Sequence, residues 1–335
     1  MSSSFTHGLS FIGVPNAAAR RYVARGPWLL CSWITGLSIF YVSHTVMHHL
    51  WPTIEKLLPA SWFAYMYVTT TLTNFLTQLL CNLALLPLYT MGGRGVEWVN
   101  QLKSEPSKAW PWLSTDAAEH SRFLATLYRS AWLVPFNMFF VAMVGLGVTA
   151  PLVAALGVAG PITFATFPSL STLAWQLAAC ALIEDACFYT SHRLLHTPIL
   201  YKSIHKIHHD YGSVVGSASE HAHPIEFLIG NLLPAIAGSL IFRVHLATTL
   251  IFLAMRLAVS VEEHSGFSFQ GSPFRMTPFS SLAAGHAWHH SHTVGVFASQ
   301  FCFFDHLFGT DIAFNAWMDA EDDAKSKGQK GIKAA

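Results

Sequence analysis

Charge is what this 335-residue chain has least of: 11% of its residues are Asp, Glu, Lys or Arg, while 52% are hydrophobic. An ordinary soluble domain carries about 25% charged residues, so a soluble globular class is excluded. A net charge of +1 provides no basic surface for nucleic acid. The five cysteines (Cys31, Cys81, Cys180, Cys187 and Cys302) form no C-x-x-C pair, and most lie in apolar runs. That pattern excludes a disulfide framework and suits packed, reduced thiols. There is no G-x-G-x-x-G loop, haem-type cysteine motif or flavin signature, so any redox chemistry must draw electrons from a separate protein. No repeat of fixed period is evident. A cleavable signal peptide is not expected either, because the apolar run after residue 26 is too long for one and reads as an uncleaved first span.

What the chain does have is long apolar stretches, at roughly 27–51, 61–90, 131–150 and 161–183. Each is long enough to cross a hydrocarbon core of ~30 Å, which takes ~20 helical residues. A shorter pair, 225–241 and 246–260, flanks Arg243-Val-His245 and is expected to form a membrane hairpin. The fold class expected is all-α: a multi-span membrane helical bundle with a cytosolic, histidine-rich dimetal cap. Its parts would be a cytosolic N-terminal tail (1–26), a four-span region (27–183), a catalytic region (184–316) and a polar C-terminal tail (317–335). Arginines 20, 21 and 25 in the tail, and Arg94, Lys103, Lys108, Arg122 and Arg129 in the 91–129 loop, put both on the cytosolic side. Four crossings return the chain to that side before residue 192, and a hairpin that goes in and comes back keeps residues beyond 260 there. The tail from about 318, with Lys325, Lys327, Lys330 and Lys333, is expected to be disordered.

Histidine is the abundant ionisable residue, and 13 of the 19 fall between His192 and His292. Three clusters stand out: His192-Arg-Leu-Leu-His196, His205-Lys-Ile-His208-His209 and His286-Ala-Trp-His289-His290. Spacings of i,i+3 and i,i+4 put each set of imidazoles on one side of a helix. Imidazoles without thiolates suit iron, zinc or copper. Eight ligands exceed the three or four that one tetrahedral ion uses, so two metals are expected. His223, in Glu220-His221-Ala-His223-Pro224-Ile-Glu226, and His264, in Glu262-Glu263-His264-Ser-Gly266, are candidates to complete the set. Among nearby acids, Glu226 and Glu263 are the favoured acceptors for the far ring N–H of the ligands. His221 is expected in a supporting role and His292 at the site wall, with His245 and His306 structural. His44-Thr-Val-Met-His48-His49 has a similar spacing but ends the first span, facing away from the others.

These boxes resemble the signature of the membrane fatty acid hydroxylase/sterol desaturase superfamily, H-x(3,4)-H followed by two H-x-x-H-H, over roughly 180–316. Within it the chain is most similar to C-4 methylsterol monooxygenases, through Tyr201-Lys-Ser-Ile-His205, Ala222-His223-Pro224-Ile-Glu226, Phe297-Ala-Ser-Gln-Phe301 and Asp305-His-Leu-Phe-Gly309-Thr-Asp311. It departs from that pattern at His221, at Ala287 and at Val259-Ser-Val-Glu262-Glu263-His264, where it leans toward cholesterol 25-hydroxylase-like members. The resemblance implies a non-haem di-iron oxygenase of the endoplasmic reticulum membrane with its site on the cytosolic face. It would use O2 and electrons from NAD(P)H through cytochrome b5 and its reductase, on a sterol or other lipid, with zinc able to replace iron in preparations. The alternatives are a fatty acid hydroxylase, a sterol desaturase or a cholesterol 25-hydroxylase-like enzyme. A non-catalytic metal carrier is the reading from a different class; it would place its histidines inside the spans.

Overall fold

A computed structural model describes residues 22, 25–105, 108–212, 215–281 and 283–327. Among these the chain is helical, with two isolated β-bridges, Lys103 to Phe267 and Ser280 to Phe301. The longer helices are α1 (Pro27–Leu57), α2 (Trp62–Gly93), α3 (Ala117–Leu156), α4 (Leu170–Leu195), α5 (Pro224–Ile241), α6 (Leu246–Glu263), α7 (Ala283–His292) and α8 (Ile312–Ser326). Local chemistry sets their starts. Pro27 occupies the first turn of α1, where a missing N–H costs nothing. Ser61, Asp116 and Ser169 cap α2, α3 and α4 by accepting from first-turn N–H groups. Gly157, at φ 59°, ends α3 in the left-handed region.

Four of these helices, α1, α2, α3 and α5, are long and apolar enough to cross a membrane. Their large side chains, Leu37, Val68 and Val148 among them, face outward. A soluble protein would not expose so continuous an apolar surface, and a bilayer satisfies it.

The fourth expected span differs. Residues 161–169 are not a helix apart from the short turn Phe164–Thr166, and α4 runs on to Leu195. It carries Gln176, Glu184 and Asp185 on a buried face, where they pair with protein instead of meeting lipid. α6 likewise holds Arg256, Glu262 and Glu263, so the expected hairpin joins one lipid-compatible helix to one polar-faced helix. Arg122 and Arg129 belong to α3 and not to a loop. The expected disordered tail is corrected as far as Ser326, to which α8 continues; residues 328–335 lie outside the described residues.

α4 packs along α5, and α6 packs along α2 and α4. At the α4–α5 crossing Gly238 has no room for a side chain, since a Cβ there would lie 2.7 Å from the Cα of Cys180. Polar pairs pin the core: Gln176 to Thr248 (2.9 Å), Gln78 to Ser219 (3.1 Å) and Arg256 to Glu184 (3.1 Å). Each satisfies groups that would be costly to leave alone in an apolar interior. The connections at one end gather together, with His245 packed on Trp51 (4.8 Å) and Phe167 (5.5 Å). His44, His48 and His49 lie at that end too, the first two against Phe167. The three histidine clusters meet elsewhere, where α4, α6 and α7 converge.

Gly238→Val should force α4 and α5 apart and lower stability by about 1–3 kcal/mol, the usual cost of overpacking. Gly147→Ala, whose new methyl would meet only Phe63 at 3.6 Å, should change little. Melting in detergent micelles would compare the two, and equal losses would contradict the close crossing.

Candidate metal centre

The first cluster sits on the last turn of α4, where His192 and His196 project from one side until Thr197-Pro198 stops the helix. A short helix, Pro198–Ser203, turns the chain back, and His205–Asp210 follows as a 3₁₀ helix, not the expected α-helix. At three residues per turn, His208 and His209 point about 120° apart. On α7, His286 and His290 are near-eclipsed, whereas His289 is about 100° from His290. Adjacent histidines therefore serve different centres.

Two groups of imidazoles result. His192, His196, His205, His209 and His289 form one; His208, His264, His286 and His290 form the other. Within each group the ligand atoms lie within 4.8 Å of one another. The groups adjoin: the ring of His209 is 4.6 Å from that of His290, and the ring of His205 is 5.4 Å from that of His208. Seven of the nine rings are buried, and His196 and His209 are partly covered.

The far ring nitrogens decide which atoms face inward. His192 Nδ1 donates to the Phe297 carbonyl (2.8 Å), His208 Nδ1 to His221 (3.1 Å), His264 Nδ1 to Ser260 (2.7 Å) and His289 Nδ1 to Gly295 (2.6 Å). His205 Nδ1 meets Glu226 Oε1 at 2.6 Å. A carbonyl can only accept, so the proton sits on Nδ1 and Nε2 presents a lone pair. The Nε2 atoms crowd together: those of His208 and His264, both bearing lone pairs, are 3.3 Å apart, those of His196 and His289 3.1 Å, of His196 and His205 2.9 Å, and of His264 and His286 2.8 Å. His192 Nε2 is buried with no hydrogen-bond partner. Opposed lone pairs repel unless a cation lies between them. Nitrogens bound to one ion at about 2.1 Å would sit roughly 3.0–3.4 Å apart for angles of 90–109°. The residues fit two metal ions.

Burial also keeps these rings neutral, as ligation requires. It lowers His196 and His264 to about 4, and it lowers His209 to about 3 with the charge of His196 adding to the effect. His192, His208, His286, His289 and His290 are pushed well below the usual imidazole range by burial first and by neighbouring imidazoles second.

Nine of the ten expected ligands, His264 among them, are thus brought together. His223 does not. It is the N-cap of α5, its Nδ1 accepting from Ile225 N–H at 3.1 Å, because Pro224 starts a helix directly after it. Glu226 lies where expected, but Glu263 is bonded to Ser281 and to no ring. His221 supports His208 through its backbone oxygen, and its Nδ1 meets Ser130 Oγ at 2.8 Å. His292 stacks on Trp288 (4.6 Å) outside both groups, and His245 caps α6. The main-chain acceptors at 221, 260, 295 and 297 have no signature in side-chain identity. Asp185 and Asp305, which order the backbone between 297 and 301, were legible only as acids inside a motif.

A narrow cleft reaches the rings between α4, α5 and α6, lined by Phe188, Leu195, Ala222, Gly230 and Ser260 together with His192, His205, His208 and His264. The larger cavity of the molecule, ≈ 390 Å³, borders α7 at Ala284 and Gly285 and holds none of the nine histidines. The cleft, although smaller, is the one next to the chemistry.

Comparison with known proteins bears on this arrangement. A family model described as fatty acid hydroxylase matches residues 177–310. A putative methylsterol monooxygenase of Dictyostelium discoideum is 34% identical over 206 residues, 60% of this chain and 76% of that protein. Methylsterol monooxygenase 1 of Gallus gallus is 37% identical over 161 residues, 48% of this chain and 54% of that protein. A fatty acid hydroxylase of Mycosarcoma maydis is 34% identical over 195 residues, 57% of this chain and 48% of that protein. No solved structure matches.

With metal removed, stability should fall as pH drops from about 6.5 toward about 4. The unfolded chain takes up protons near 6.5, while His196 and His264 in the fold resist until about 4. Unfolding midpoints at pH 7 and pH 5 would check the sign. A flat profile would mean that the rings take up protons in the fold as readily as in the unfolded chain.

Proposed function

Because this chain belongs to the fatty acid hydroxylase/sterol desaturase superfamily, close to the methylsterol monooxygenases, we propose that it is a membrane non-haem di-iron monooxygenase acting on the C-4 methyl group of sterol precursors. The observation that carries this reading is the pair of adjoining imidazole groups with inward-facing Nε2 lone pairs. The ligands in this reading are His192, His196, His205, His209 and His289 for one ion and His208, His264, His286 and His290 for the other. The chemistry supplied by bound iron would be two-electron activation of dioxygen and attack on an unactivated C–H bond. The net change is R–CH3 + O2 + 2e⁻ + 2H⁺ → R–CH2OH + H2O.

The protein's own residues do the rest. Glu226 and the four backbone oxygens fix the orientation and tautomer of five rings, which therefore need not reorganise during turnover. Phe188 and Leu195 line the cleft with apolar surface that favours a hydrocarbon over water. As it stands the cleft, ≈ 20 Å³, holds about one water, so in this reading the helices around it must part for a lipid to reach the rings. The electrons would come from NAD(P)H through cytochrome b5 and its reductase, on the cytosolic face of the endoplasmic reticulum membrane. Residues 1–26 would form a cytosolic tail, 27–183 the main membrane region and 184–316 the catalytic region. The Mycosarcoma maydis relative favours a second substrate reading, a fatty acyl chain, on the same metal groups.

His208→Ala should abolish turnover and reduce bound iron, and full activity in that variant would remove His208 from the ligand set. Glu226→Gln should weaken metal binding about 10–100-fold while the protein stays folded. Lipid profiling of cells lacking the protein should show accumulated 4-methyl sterols. Unchanged sterols with altered hydroxylated fatty acids would favour the second substrate.

A further inference from the structure

The segment that follows α7 has an unusual backbone. Thr293, Gly295 and Val296 all lie in the left-handed region, at φ 58°, 60° and 51°. For a β-branched residue such as Val296 this is a strained conformation that the surroundings must enforce. Gly295 has no alternative, since a Cβ there would fall 2.2 Å from the Thr310 carbonyl oxygen. The twisted path aims alternate backbone oxygens the same way. Gly295 accepts from His289 Nδ1, and Phe297 accepts from His192 Nδ1. Both rings belong to the five-histidine group. In the four-histidine group, His208 and His264 are held instead by the oxygens of His221 and Ser260.

Two buried carboxylates lock the continuation of this segment. Asp305 accepts from the N–H groups of Phe297 (2.8 Å) and Ala298 (2.9 Å). Asp185 accepts from those of Ser299 (3.2 Å), Gln300 (2.8 Å) and Phe301 (3.1 Å). Five successive N–H groups are therefore held by two side chains, and the Thr310 hydroxyl donates to Asp305 Oδ1 at 2.6 Å. Val296 N–H is tied to the Thr310 carbonyl at 3.0 Å.

From this geometry we infer that Asp305, through the 293–297 segment, is a positioning residue for the five-histidine metal position alone, so that the two positions are framed separately. Asp305 touches no ring; it acts through the carbonyls it holds in place. The inference rests on the two-ion reading above, and metal content of the unaltered protein tests that reading independently of any variant.

The experiment is metal content after anaerobic reconstitution of the full chain with ferrous iron, followed by release to a chelator. Asp305→Asn replaces one acceptor oxygen with an NH2 group that faces a backbone N–H, so the segment should shift. Bound iron should fall from two per chain to about one: of the two release phases of the unaltered protein, one is lost and the other keeps its rate. Adding His289→Ala to Asp305→Asn should remove no further iron, whereas adding His286→Ala should empty the protein. A uniform structural defect would move both phases together. Loss of both ions in proportion, or retention of both at unaltered release rates, overturns the inference. Should Asp305→Asn fail to fold, Thr310→Val decides, since it removes one partner of Asp305 at nearly constant shape. The same single phase should accelerate, and two equally affected phases would overturn the inference.

Discussion

The structure depends on a donor–acceptor constraint at the back of five of the nine imidazoles. A backbone oxygen or a carboxylate takes the Nδ1 proton, and the lone pair on Nε2 is then forced inward against its neighbours. Left to themselves, rings so arranged would turn away from one another. They are held by helices that cannot rotate independently: α4 is packed along α5, and α6 along α2. The apolar bundle is thus a frame for an electrostatically unfavourable arrangement that divalent cations relieve. Burial works in the same direction, because it removes the option of protonating the rings.

The polar residues inside the bundle answer a different need. Arg256 sits between Glu184 and Glu220, both buried, and stacks near Phe188. Gln300 completes the coordination of Glu184 at 2.8 Å. Such groups in an apolar interior tolerate one arrangement well and others badly, so they fix the register of α4 against α6. That register sets the height at which His192 meets His264. The wide π-turn of α3 at Phe136–Val141 adds to this control by pointing Asn137 inward to the Ala222 carbonyl at 2.8 Å.

Much of this was legible in the sequence, for specific reasons. Helical spacing of 192/196 and 286/290 encodes direction, so the nine histidines that gather in the two groups are all found among the expected ones. Glu226 was readable because an acid close to a histidine box has few other uses in an apolar chain. Hydropathy was a poorer guide where apolar residues and buried acids share a helix. α4 looked like an ordinary span up to residue 183, but its Glu184 and Asp185 face protein. His223 misled because histidine before Pro224 serves equally well as a helix cap. Glu263 misled because proximity in sequence to His264 does not give proximity to its ring; the helix turns the acid toward Ser281. The C-terminal charges suggested disorder where α8 packs Phe314 and Trp317 against Trp288.

Four of the nine rings are steered by main-chain oxygens at positions 221, 260, 295 and 297. An amide oxygen persists whatever side chain is attached to its residue. The steering oxygen therefore asks nothing of the side chain that carries it, and the Phe297 ring is left to pack against His192, His196 and His289. The strictest limit falls on the path of the chain, as at Gly295, where any side chain would strike the Thr310 carbonyl.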